Sequence, residues 1–234
     1  VIKNDIVIAI KNFLHSSHLL KTINEAIVTL IPKGEVPLNM SQYRPISLCN
    51  VLYRIIVNAL ANRLKKVIPR CIIHAQSAFV PGRQILDNVI LVQEIIHLMK
   101  NKRKGKNGII ALKLDMLKAY DRVEWQFLGR MMMKIGFCPT WVRWIMSCVP
   151  TASYSFNIND GQRTGYIKPT RGLRQWDPLS PYLFLICAEG ISNLVKQNLN
   201  NRLIIGVRVG RGCPVVSHLL FADDSVAPHF LIEK

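Results

Sequence analysis

The sequence predicts a mixed α and β fold with antiparallel sheet. Several segments carry apolar residues at the spacing of a helix, and others alternate or form short β-rich runs. The two kinds of segment do not follow each other as a regular βαβ repeat, so a Rossmann-type parallel sheet is disfavoured. The sequence contains no internal repeat and no low-complexity linker.

The first half of the chain is predicted to be mainly helical, with one short strand. Apolar stripes indicate the helices, because charged residues lie mostly off the stripe. Proline is expected to end two of the elements, since it lacks the N–H that a helix or a sheet needs. The predicted elements are a helix over 4–20, a strand over 26–31 ended by Pro32, an irregular stretch over 36–50, a helix over 51–68 closed by Pro69, and a helix over 85–99.

The second half is predicted to contain most of the sheet. Alternating residues with an Asp-Gly pair between them indicate a hairpin, and a proline near the first turn suits the start of a helix. The predicted elements are a strand over 108–115, a helix over 122–135, a hairpin over 153–168 with Asp160-Gly161 as its turn, a helix from Pro181 to about Leu199, and strands over 206–209 and 214–222.

Composition and charge narrow the class of protein. The chain has 234 residues, 50% of them hydrophobic, which suffices for one large domain or two small lobes. Its 31 Lys+Arg against 14 Asp+Glu give a net charge of +17. Such a charge attracts polyanions, of which nucleic acid is the commonest large one. A generally basic protein or an organellar targeting bias would give the same excess.

Cysteines, hydropathy and the chain ends predict an intracellular piece of a longer protein. No C-x-x-C pair is present, so reduced, buried thiols are expected rather than disulfides or zinc. No apolar run is long enough for a membrane span, and no membrane contact is expected. The start at Val1 has neither Met nor a signal pattern, and both ends look cut. The cysteines are Cys49, Cys71, Cys138, Cys148, Cys187 and Cys213.

Two groups of aspartates stand out among the few acidic residues. Asp115 follows the apolar run 109–114, and Asp223-Asp224 follow the apolar run 215–222. Strands that deliver carboxylates to one point make a site for Mg²⁺, which prefers oxygen ligands. Two such ions about 4 Å apart support phosphoryl transfer. An isolated Asp pair could instead be a turn or a helix cap.

Five segments resemble the motifs of reverse transcriptases, in the same order. The motif sequences most resemble those of plant LINE-type (non-LTR) retrotransposons, and the resemblance runs from about Asn24 to Ser225. Any one of the five motifs would be weak, but the ordered set is highly specific. The segments are Tyr43–Leu48 and Gln76–Arg83 for the fingers, Asp115–Asp121 for motif A, Arg171–Pro181 for motif B, and Phe221–Asp224 for motif C.

The resemblance implies an α+β right-hand polymerase with fingers and palm, an antiparallel palm sheet with packed helices, and no thumb. Residues 1–234 would then form a single truncated reverse transcriptase domain. Its reaction would be RNA-directed DNA synthesis on an RNA template and a DNA primer with dNTPs, in the nucleus, with no evident protein partner. The implied boundaries are about 21–106 for the fingers, about 107–121 and 171–230 for the palm, and 122–170 for an intervening segment.

The resemblance also assigns the catalytic and metal-binding residues. Asp115, Asp223 and Asp224 would hold two Mg²⁺ ions, for which Mn²⁺ could substitute, with Asp224 a closer or an outer-sphere helper. Asp121 is not at the metal position of the motif. We expect Asp121 to be structural, as the helix N-cap of the segment 122–135.

Further residues are implied to bind the nucleotide and the nucleic acid. The aromatic ring of motif A rejects a 2′-hydroxyl by steric clash, and the amide of motif B packs against nucleotide and template. Fingers cations touch the triphosphate, since a guanidinium matches phosphate oxygens. The nucleotide-binding residues would be Tyr120, Gln175, Arg44 and Lys33, and the nucleic-acid-binding residues Arg83, Lys102, Arg103 and Lys104.

Three residues depart from the family pattern. Trp176 stands where the family has Gly, which is used where backbone approaches a ligand closely or needs φ > 0. Leu117 replaces a small polar residue, and Pro228 is expected to interrupt the strand after the Asp pair. These departures predict an impaired enzyme. A catalytically inactive nucleic-acid-binding remnant is the alternative, and a group II intron maturase is a third, disfavoured one.

Overall fold

The computed structural model describes residues 2–102, 108–158 and 162–230. The chain forms two compact units, unit 1 (Val1–Leu64 and Tyr120–Leu183) and unit 2 (Lys65–Ala119 and Phe184–Lys234). The bounds of these units differ from the predicted boundaries of fingers and palm. The division into fingers and palm therefore stays a prediction.

The described elements confirm a mixed α and β fold. Apolar stripes form the helices, and β-rich or alternating runs form the strands, as predicted. In chain order the elements are α1 (Ile2–Ser16), β1 (Glu25–Pro32), β2 (Tyr43–Cys49), α2 (Val51–Cys71), α3 (Ile85–Asn101), β3 (Ile109–Asp115), α4 (Trp125–Ile135), α5 (Pro139–Cys148), β4 (Ser153–Ile158), β5 (Gln162–Ile167), α6 (Ser180–Asn200), β6 (Leu219–Phe221) and β7 (Asp224–Phe230).

Unit 1 contains a four-stranded sheet in the order β2-β1-β4-β5. Strand β1 is antiparallel to β2 and parallel to β4, with Val28 opposite Phe156, so the sheet is mixed. Alternate residues of β1 are buried, as a strand with one face toward a core requires. The buried apolar residues of unit 1 include Ala26, Val28, Tyr53, Ile56, Leu60, Leu128, Met132 and Ile145.

Unit 2 contains an antiparallel three-stranded sheet in the order β3-β7-β6. This sheet confirms the predicted antiparallel strand pair that carries the aspartates. Strands β6 and β7 are joined by the two-residue turn Ala222-Asp223, because Phe221 is paired with Asp224. The buried apolar residues of unit 2 include Ile68, Ile72, Ile95, Leu185, Ile186, Leu219 and Leu220.

Several predicted boundaries are wrong for reasons of tertiary pairing. The stretch predicted as irregular contains β2, which is ordered by its ladder with β1. Helix α2 runs through Pro69 and ends at Cys71. The strands predicted over 206–209 and 214–222 reduce to β6 and isolated bridges, such as Val207 with Val216. Helix α5 was not predicted at all, and the predicted turn Asp160-Gly161 lies outside the described residues.

The expected break at Pro228 is also wrong. Strand β7 continues through this residue, which is paired with Ala111 of β3. The neighbour on the other side, β6, pairs with β7 only as far as Val226. Beyond that point the described residues pair with this side of β7 through the isolated bridge between Gly206 and His229. Pro228 thus lies at a sparsely paired edge, where proline is tolerated.

The cysteines are free thiols, as predicted, but they are not all buried. Cys138 and Cys213 are exposed, whereas Cys148 is buried. Burial raises the pKa of the Cys187 thiol to about 12, so this group stays protonated at neutral pH. Among the described helices, none combines the length and the apolar character that crossing a bilayer requires.

Candidate active site

The carboxylates of motifs A and C meet at one end of the sheet of unit 2. Asp115, the last residue of β3, is directly opposite Asp224, the first residue of β7. Asp223 precedes Asp224 in the turn, and its carbonyl oxygen accepts a hydrogen bond from the Met116 N–H at 3.3 Å. The structure thus joins the two aspartate segments that are far apart in sequence.

The turn that carries Asp223 has an unusual backbone. Ala222 adopts a φ of 59°, in the left-handed region that favours glycine. Two-residue hairpin turns need such a conformation at their first central position. An alanine there stores strain, which is characteristic of functional sites. The geometry of the turn fixes where the Asp223 backbone lies.

The opposed aspartates are electrostatically unfavourable by themselves. Like charges directly across an antiparallel pair destabilise the strands by about 0.2–1 kcal/mol. Lys113, two residues before Asp115, offsets part of this cost, because its Nζ lies 3.6 Å from Asp224 Oδ1. Asp224 Oδ1 is buried and accepts no hydrogen bond within the described part of the chain.

This donor set fits a hard divalent cation. A buried carboxylate oxygen without a donor, next to a second carboxylate, is the kind of oxygen site that Mg²⁺ prefers. The side chains as they stand do not converge on one point, since no three His, Cys, Asp or Glu residues among those described form a group that could hold an ion. The backbone pairing therefore brings the residues that carry the carboxylates together, and a bound ion would draw their side chains to one point.

Arg83, predicted to contact nucleic acid, has another role in the structure. Its guanidinium donates hydrogen bonds to the carbonyls of Ile73 (2.5 Å), Ile72 (2.7 Å) and Gln76 (2.7 Å), and a longer one to Pro69 (3.3 Å). The Pro69 carbonyl belongs to the last turn of α2, where helix carbonyls have no partner within the helix, and the other three carbonyls follow the helix. Arg83 holds the chain after this helix in place, and its contact with nucleic acid stays a prediction.

Motifs A and B are hydrogen-bonded to each other within unit 1. The Leu173 N–H donates to the Tyr120 carbonyl at 2.9 Å, and the Gly172 N–H donates to the Val123 carbonyl at 2.8 Å. Gly172 has a φ of +94°, and a Cβ there would lie 3.1 Å from the Asp121 carbonyl oxygen. Glycine is therefore required by both conformation and space.

Asp121 is not the helix cap that the sequence suggested. It lies in the short 3₁₀ turn Tyr120–Arg122, and α4 begins only at Trp125. The N-cap is Glu124, whose side chain makes no capping hydrogen bond. The helix starts later than predicted because the backbone at Tyr120 and Val123 bonds to motif B instead.

Two buried polar residues that the sequence did not single out flank Gln175 and Trp176. Arg174 donates to the carbonyl and the side-chain oxygen of Asn24 at 2.9 and 3.0 Å. Its guanidinium also lies 4.6 Å from the centre of the Tyr53 ring, a cation–π distance. Asp177 accepts from the Tyr53 hydroxyl at 2.5 Å and from the Leu179 N–H at 2.8 Å.

Burial dominates the ionisation of this network. It raises the pKa of the Asp177 carboxyl, although the Tyr53 hydroxyl, the Leu179 N–H and Arg174 all lower it. It also raises the pKa of the Tyr53 phenol, so that Tyr53 is a neutral donor. The two residues between Arg174 and Asp177 are thus presented from a rigid, buried base.

Trp176 occupies a glycine-like conformation. Its φ is 68°, and 67% of the residue is exposed. The large ring therefore projects from a backbone position that a glycine would adopt without strain. Gln175, next to it, is half-buried and borders an open cleft of unit 1. Other residues that line this cleft are Pro45, Ser47, Asp121, Phe156 and Arg171.

The predicted triphosphate-binding cations lie at one end of the β1–β2 hairpin. Arg44 is exposed and is paired with Ile31. Lys33 follows β1 directly, and its N–H donates to the Gln42 carbonyl at 2.8 Å. The structure thus brings the two cations to the same end of one hairpin. Of the predicted basic loop, Lys102 is exposed, whereas Arg103 and Lys104 lie outside the described residues.

The fold and the order of these motifs are those of one family of proteins. Residues 31–228 match the family described as Reverse transcriptase (RNA-dependent DNA polymerase), and the chain belongs to this family. The predicted reverse transcriptase domain of the non-LTR retrotransposon type is confirmed by its relatives in transposable elements.

Three relatives illustrate this similarity. The chain is 33% identical over 180 residues to the "Transposon TX1 uncharacterized 149 kDa protein" of Xenopus laevis, covering 76% of this chain and 13% of that protein. It is 30% identical over 220 residues to the Pol polyprotein of the retrotransposable element R2DM of Drosophila melanogaster, covering 92% and 18%. It is 42% identical over 78 residues to the uncharacterized mitochondrial protein AtMg01250 of Arabidopsis thaliana, covering 33% and 64%.

Solved structures support the fold alone. Telomerase from Candida tropicalis matches with a TM-score of 0.57 and 12% identity, over 88% of this chain and 39% of that chain. Telomerase from Candida albicans in complex with a fragment of telomeric RNA matches with a TM-score of 0.57 and 13% identity, over 88% and 38%. The predicted polymerase fold is thereby confirmed. The chain spans less than two thirds of the length of each of these relatives.

Proposed function

We propose that this domain adds deoxynucleotides to a DNA primer on an RNA template. The observation that carries the proposal is the direct pairing of Asp115 with Asp224, with Asp223 in the adjoining turn. A fold gains nothing from opposing two carboxylates, so the pair indicates a site for a cation. Membership of the reverse transcriptase family supports the same reaction.

Asp115, Asp223 and Asp224 would hold the divalent ions, Mg²⁺ or in its place Mn²⁺. When bound, two such ions lower the pKa of the primer 3′-hydroxyl and neutralise charge on the triphosphate. The paired strands keep the three backbones at fixed spacing. Lys113 neutralises part of the charge on Asp224 and lies beside its buried oxygen.

Residues of unit 1 would bind the incoming nucleotide. Arg44 and Lys33 share one end of a hairpin, where two cations suit the charge of a triphosphate. Gln175 borders the cleft of unit 1 and would pack against nucleotide and template. Tyr120, whose backbone is held by motif B, would reject a 2′-hydroxyl by packing against the sugar.

The remaining assignments concern partners and setting. The net charge of +17 suits an RNA template and a DNA primer, and we assign the exposed Lys102 with its basic neighbours Arg103 and Lys104 to the nucleic-acid backbone. The Arabidopsis relative supports a plant origin. Action in the nucleus follows if the element copies onto chromosomal DNA.

Primer extension tests the proposal directly. The chain is assayed on poly-rA/oligo-dT with dTTP and Mg²⁺, beside Asp223→Asn and Asp5→Asn variants. We expect extension that depends on Mg²⁺ and that is lost in Asp223→Asn. Because Asp121 lines the cleft beside Gln175, the neutral control is Asp5→Asn, at an exposed position of α1, and this variant should keep extension. Extension that survives Asp223→Asn would exclude the assigned site.

A second candidate function is nucleic-acid binding without catalysis. Trp176 favours it, because an exposed ring stands at a backbone position that suits glycine. In that case the chain would bind primer–template as tightly as the Asp223→Asn variant does, and neither would extend the primer. Extension by the unaltered chain would exclude this candidate.

A further inference from the structure

The segment after α2 is built into the hairpin that carries Asp223. The Leu220 N–H donates to the Ala75 carbonyl at 2.8 Å, and the Ser77 N–H donates to the Leu220 carbonyl at 3.2 Å. Gln76 and Leu220 form a parallel bridge, so the segment acts as an extra partner for β6. The sequence motif Gln76–Arg83 therefore supports the aspartate turn, in the same unit.

The side chain of Gln76 reaches the turn itself. Its Oε1 accepts hydrogen bonds from the Ala222 N–H at 3.1 Å and from the Ala78 N–H at 3.0 Å. Ala222 is the residue with φ of 59°, directly before Asp223. Gln76 is 1% exposed, so the bond to Ala222 is shielded from water.

A second side-chain amide, that of Asn88, bonds both the segment after α2 and strand β6. Asn88 of α3 donates from Nδ2 to the carbonyls of Ala75 (2.8 Å) and Leu220 (3.2 Å). Asn88 is buried as well. The Gln76 segment cannot shift along β6 without breaking these bonds, so the Gln76 amide meets Ala222 from a fixed position.

The Gln76 amide is retained at a cost to stability. Its Nε2 is buried and has no hydrogen-bond partner within the described part of the chain. An unsatisfied buried donor is unfavourable, and an apolar side chain would avoid it. The two hydrogen bonds that Oε1 accepts offset this cost, and an apolar side chain could not accept them.

We propose that Gln76 is a positioning residue that fixes the Ala222-Asp223 turn and thereby the metal-binding carboxylate of Asp223. This inference rests on the proposed function, since it concerns the same metal site. A strained turn is kept only when its surroundings hold it, and the bond from Gln76 to Ala222 supplies that hold. Residues behind metal ligands commonly change metal affinity ten- to a hundred-fold when altered.

The experiment compares Gln76→Met with Gln76→Glu in the whole chain. Methionine keeps the length of the side chain but removes the acceptor. Glutamic acid keeps an oxygen that accepts from Ala222, and burial favours its neutral form. Mn²⁺ binding is measured by EPR without substrate, and amide hydrogen exchange is followed at Ala222.

Two controls separate positioning from general damage. Gln42→Met is the matched substitution in unit 1, because Gln42 Oε1 also accepts two backbone N–H groups, those of Leu38 and Asn39. Ile95→Ala removes a fully buried side chain of α3 and lowers stability without touching the turn. Both variants should bind Mn²⁺ as the unaltered chain does.

The proposal predicts that Gln76→Met weakens Mn²⁺ binding at least about tenfold and speeds exchange at Ala222, whereas Gln76→Glu changes neither strongly. It is overturned if Gln76→Met binds Mn²⁺ normally while Asp223→Asn does not. If the unaltered chain and Asp223→Asn bind alike, the metal site itself fails. The exchange rate at Ala222 then decides, because an unchanged rate in Gln76→Met also overturns the positioning role.

Discussion

At Trp176 the backbone adopts a conformation that suits glycine, and the ring projects into solvent. A bulky residue in the left-handed region costs about 1–2 kcal/mol. Its neighbours Arg174 and Asp177 are buried and hydrogen-bonded, so the loop cannot relax by moving as a whole. The backbone strain at Trp176 is therefore relieved by substituting this residue.

Trp176→Gly should raise primer extension about tenfold or more, equivalent to about 1.4 kcal/mol of barrier. The reason is the removal of the ring from the residue next to Gln175. Arg202→Gly is the matched control, because Arg202 also has a positive φ, 56°, and is exposed. Equal extension by Trp176→Gly and the unaltered chain would show that the ring does not impair the site.

Tyr53→Phe should destabilise unit 1 by about 1–3 kcal/mol at pH 7, because Asp177 loses a hydrogen-bond donor inside the protein. The Tyr53 hydroxyl lowers the pKa of Asp177 against the effect of burial, so its loss raises that pKa further. A carboxyl with a raised folded-state pKa destabilises the fold above its unfolded pKa. The decrease in the free energy of unfolding caused by Tyr53→Phe should therefore be smaller at pH 4 than at pH 7.

Urea denaturation at the two pH values measures this difference. Tyr166→Phe is the matched control, because Tyr166 is 65% exposed and its substitution should have no effect. A destabilisation by Tyr53→Phe that is equal at pH 4 and pH 7 would mean that the hydroxyl does not act on the ionisation of Asp177.

At the scale of elements, the β3–β7 pair is destabilised at the end that carries the aspartates. Asp115 and Asp224 oppose each other there, and Lys113 offsets only one of them. Stability and function commonly oppose each other in this way at active sites.

Asp115→Asn should raise the free energy of unfolding without divalent ions by about 0.2–1 kcal/mol, because it removes the like-charge pair. It should also abolish the rise in Tm that Mg²⁺ gives the unaltered chain, since binding to the native state stabilises it. Asp121→Asn, at an exposed position in unit 1, should leave that Mg²⁺ effect intact. Thermal melts with and without Mg²⁺ measure both quantities. A rise in Tm with Mg²⁺ that is as large in Asp115→Asn as in the unaltered chain, or larger, would contradict the assignment.

Elements with their own periodic pattern were predictable from sequence, and those that depend on a distant partner were not. The run before Asp115 predicted β3, whereas the run before Asp223 forms only the three residues of β6. The strand paired with β3 is β7, which begins at Asp224. Pro69 and Pro228 were expected to break elements, but a proline is accommodated near a helix end or at a sparsely paired strand edge.

The candidate site was predictable in part for a similar reason. Motif residues identify the aspartates, because carboxylate chemistry is visible in a sequence. The roles of Arg83 and Gln76 were not visible, since each depends on which carbonyls or N–H groups tertiary folding brings near. The sequence shows each of them as a polar residue but does not identify the backbone groups that it bonds.

At the scale of the whole molecule, the net charge bears on the proposed binding of nucleic acid. The charge of +17 predicts binding that weakens steeply with salt, because each phosphate that the protein neutralises releases counterions.

Replacing Lys102, Arg103 and Lys104 by Gln should lower the slope of log K against log salt by about one for each phosphate that the variant no longer neutralises. Replacing Lys3, Lys11 and Lys21 by Gln is the matched control, since it removes the same charge elsewhere. Fluorescence anisotropy with a labelled primer–template between about 50 and 200 mM salt measures the slopes. Equal slopes in the two triple variants would show that the basic loop does not bind the nucleic-acid backbone in particular.

We propose a metal-dependent polymerase whose carboxylates lie on the β3–β7 sheet and whose motif B is impaired by Trp176. Primer extension by Trp176→Gly, compared with the double variant Trp176→Gly/Asp223→Asn, tests it most directly on an RNA template with Mg²⁺. We expect primer extension by Trp176→Gly and no extension by Trp176→Gly/Asp223→Asn. Silence from both, with primer–template still bound, would contradict the claim that this chain retains a working catalytic site.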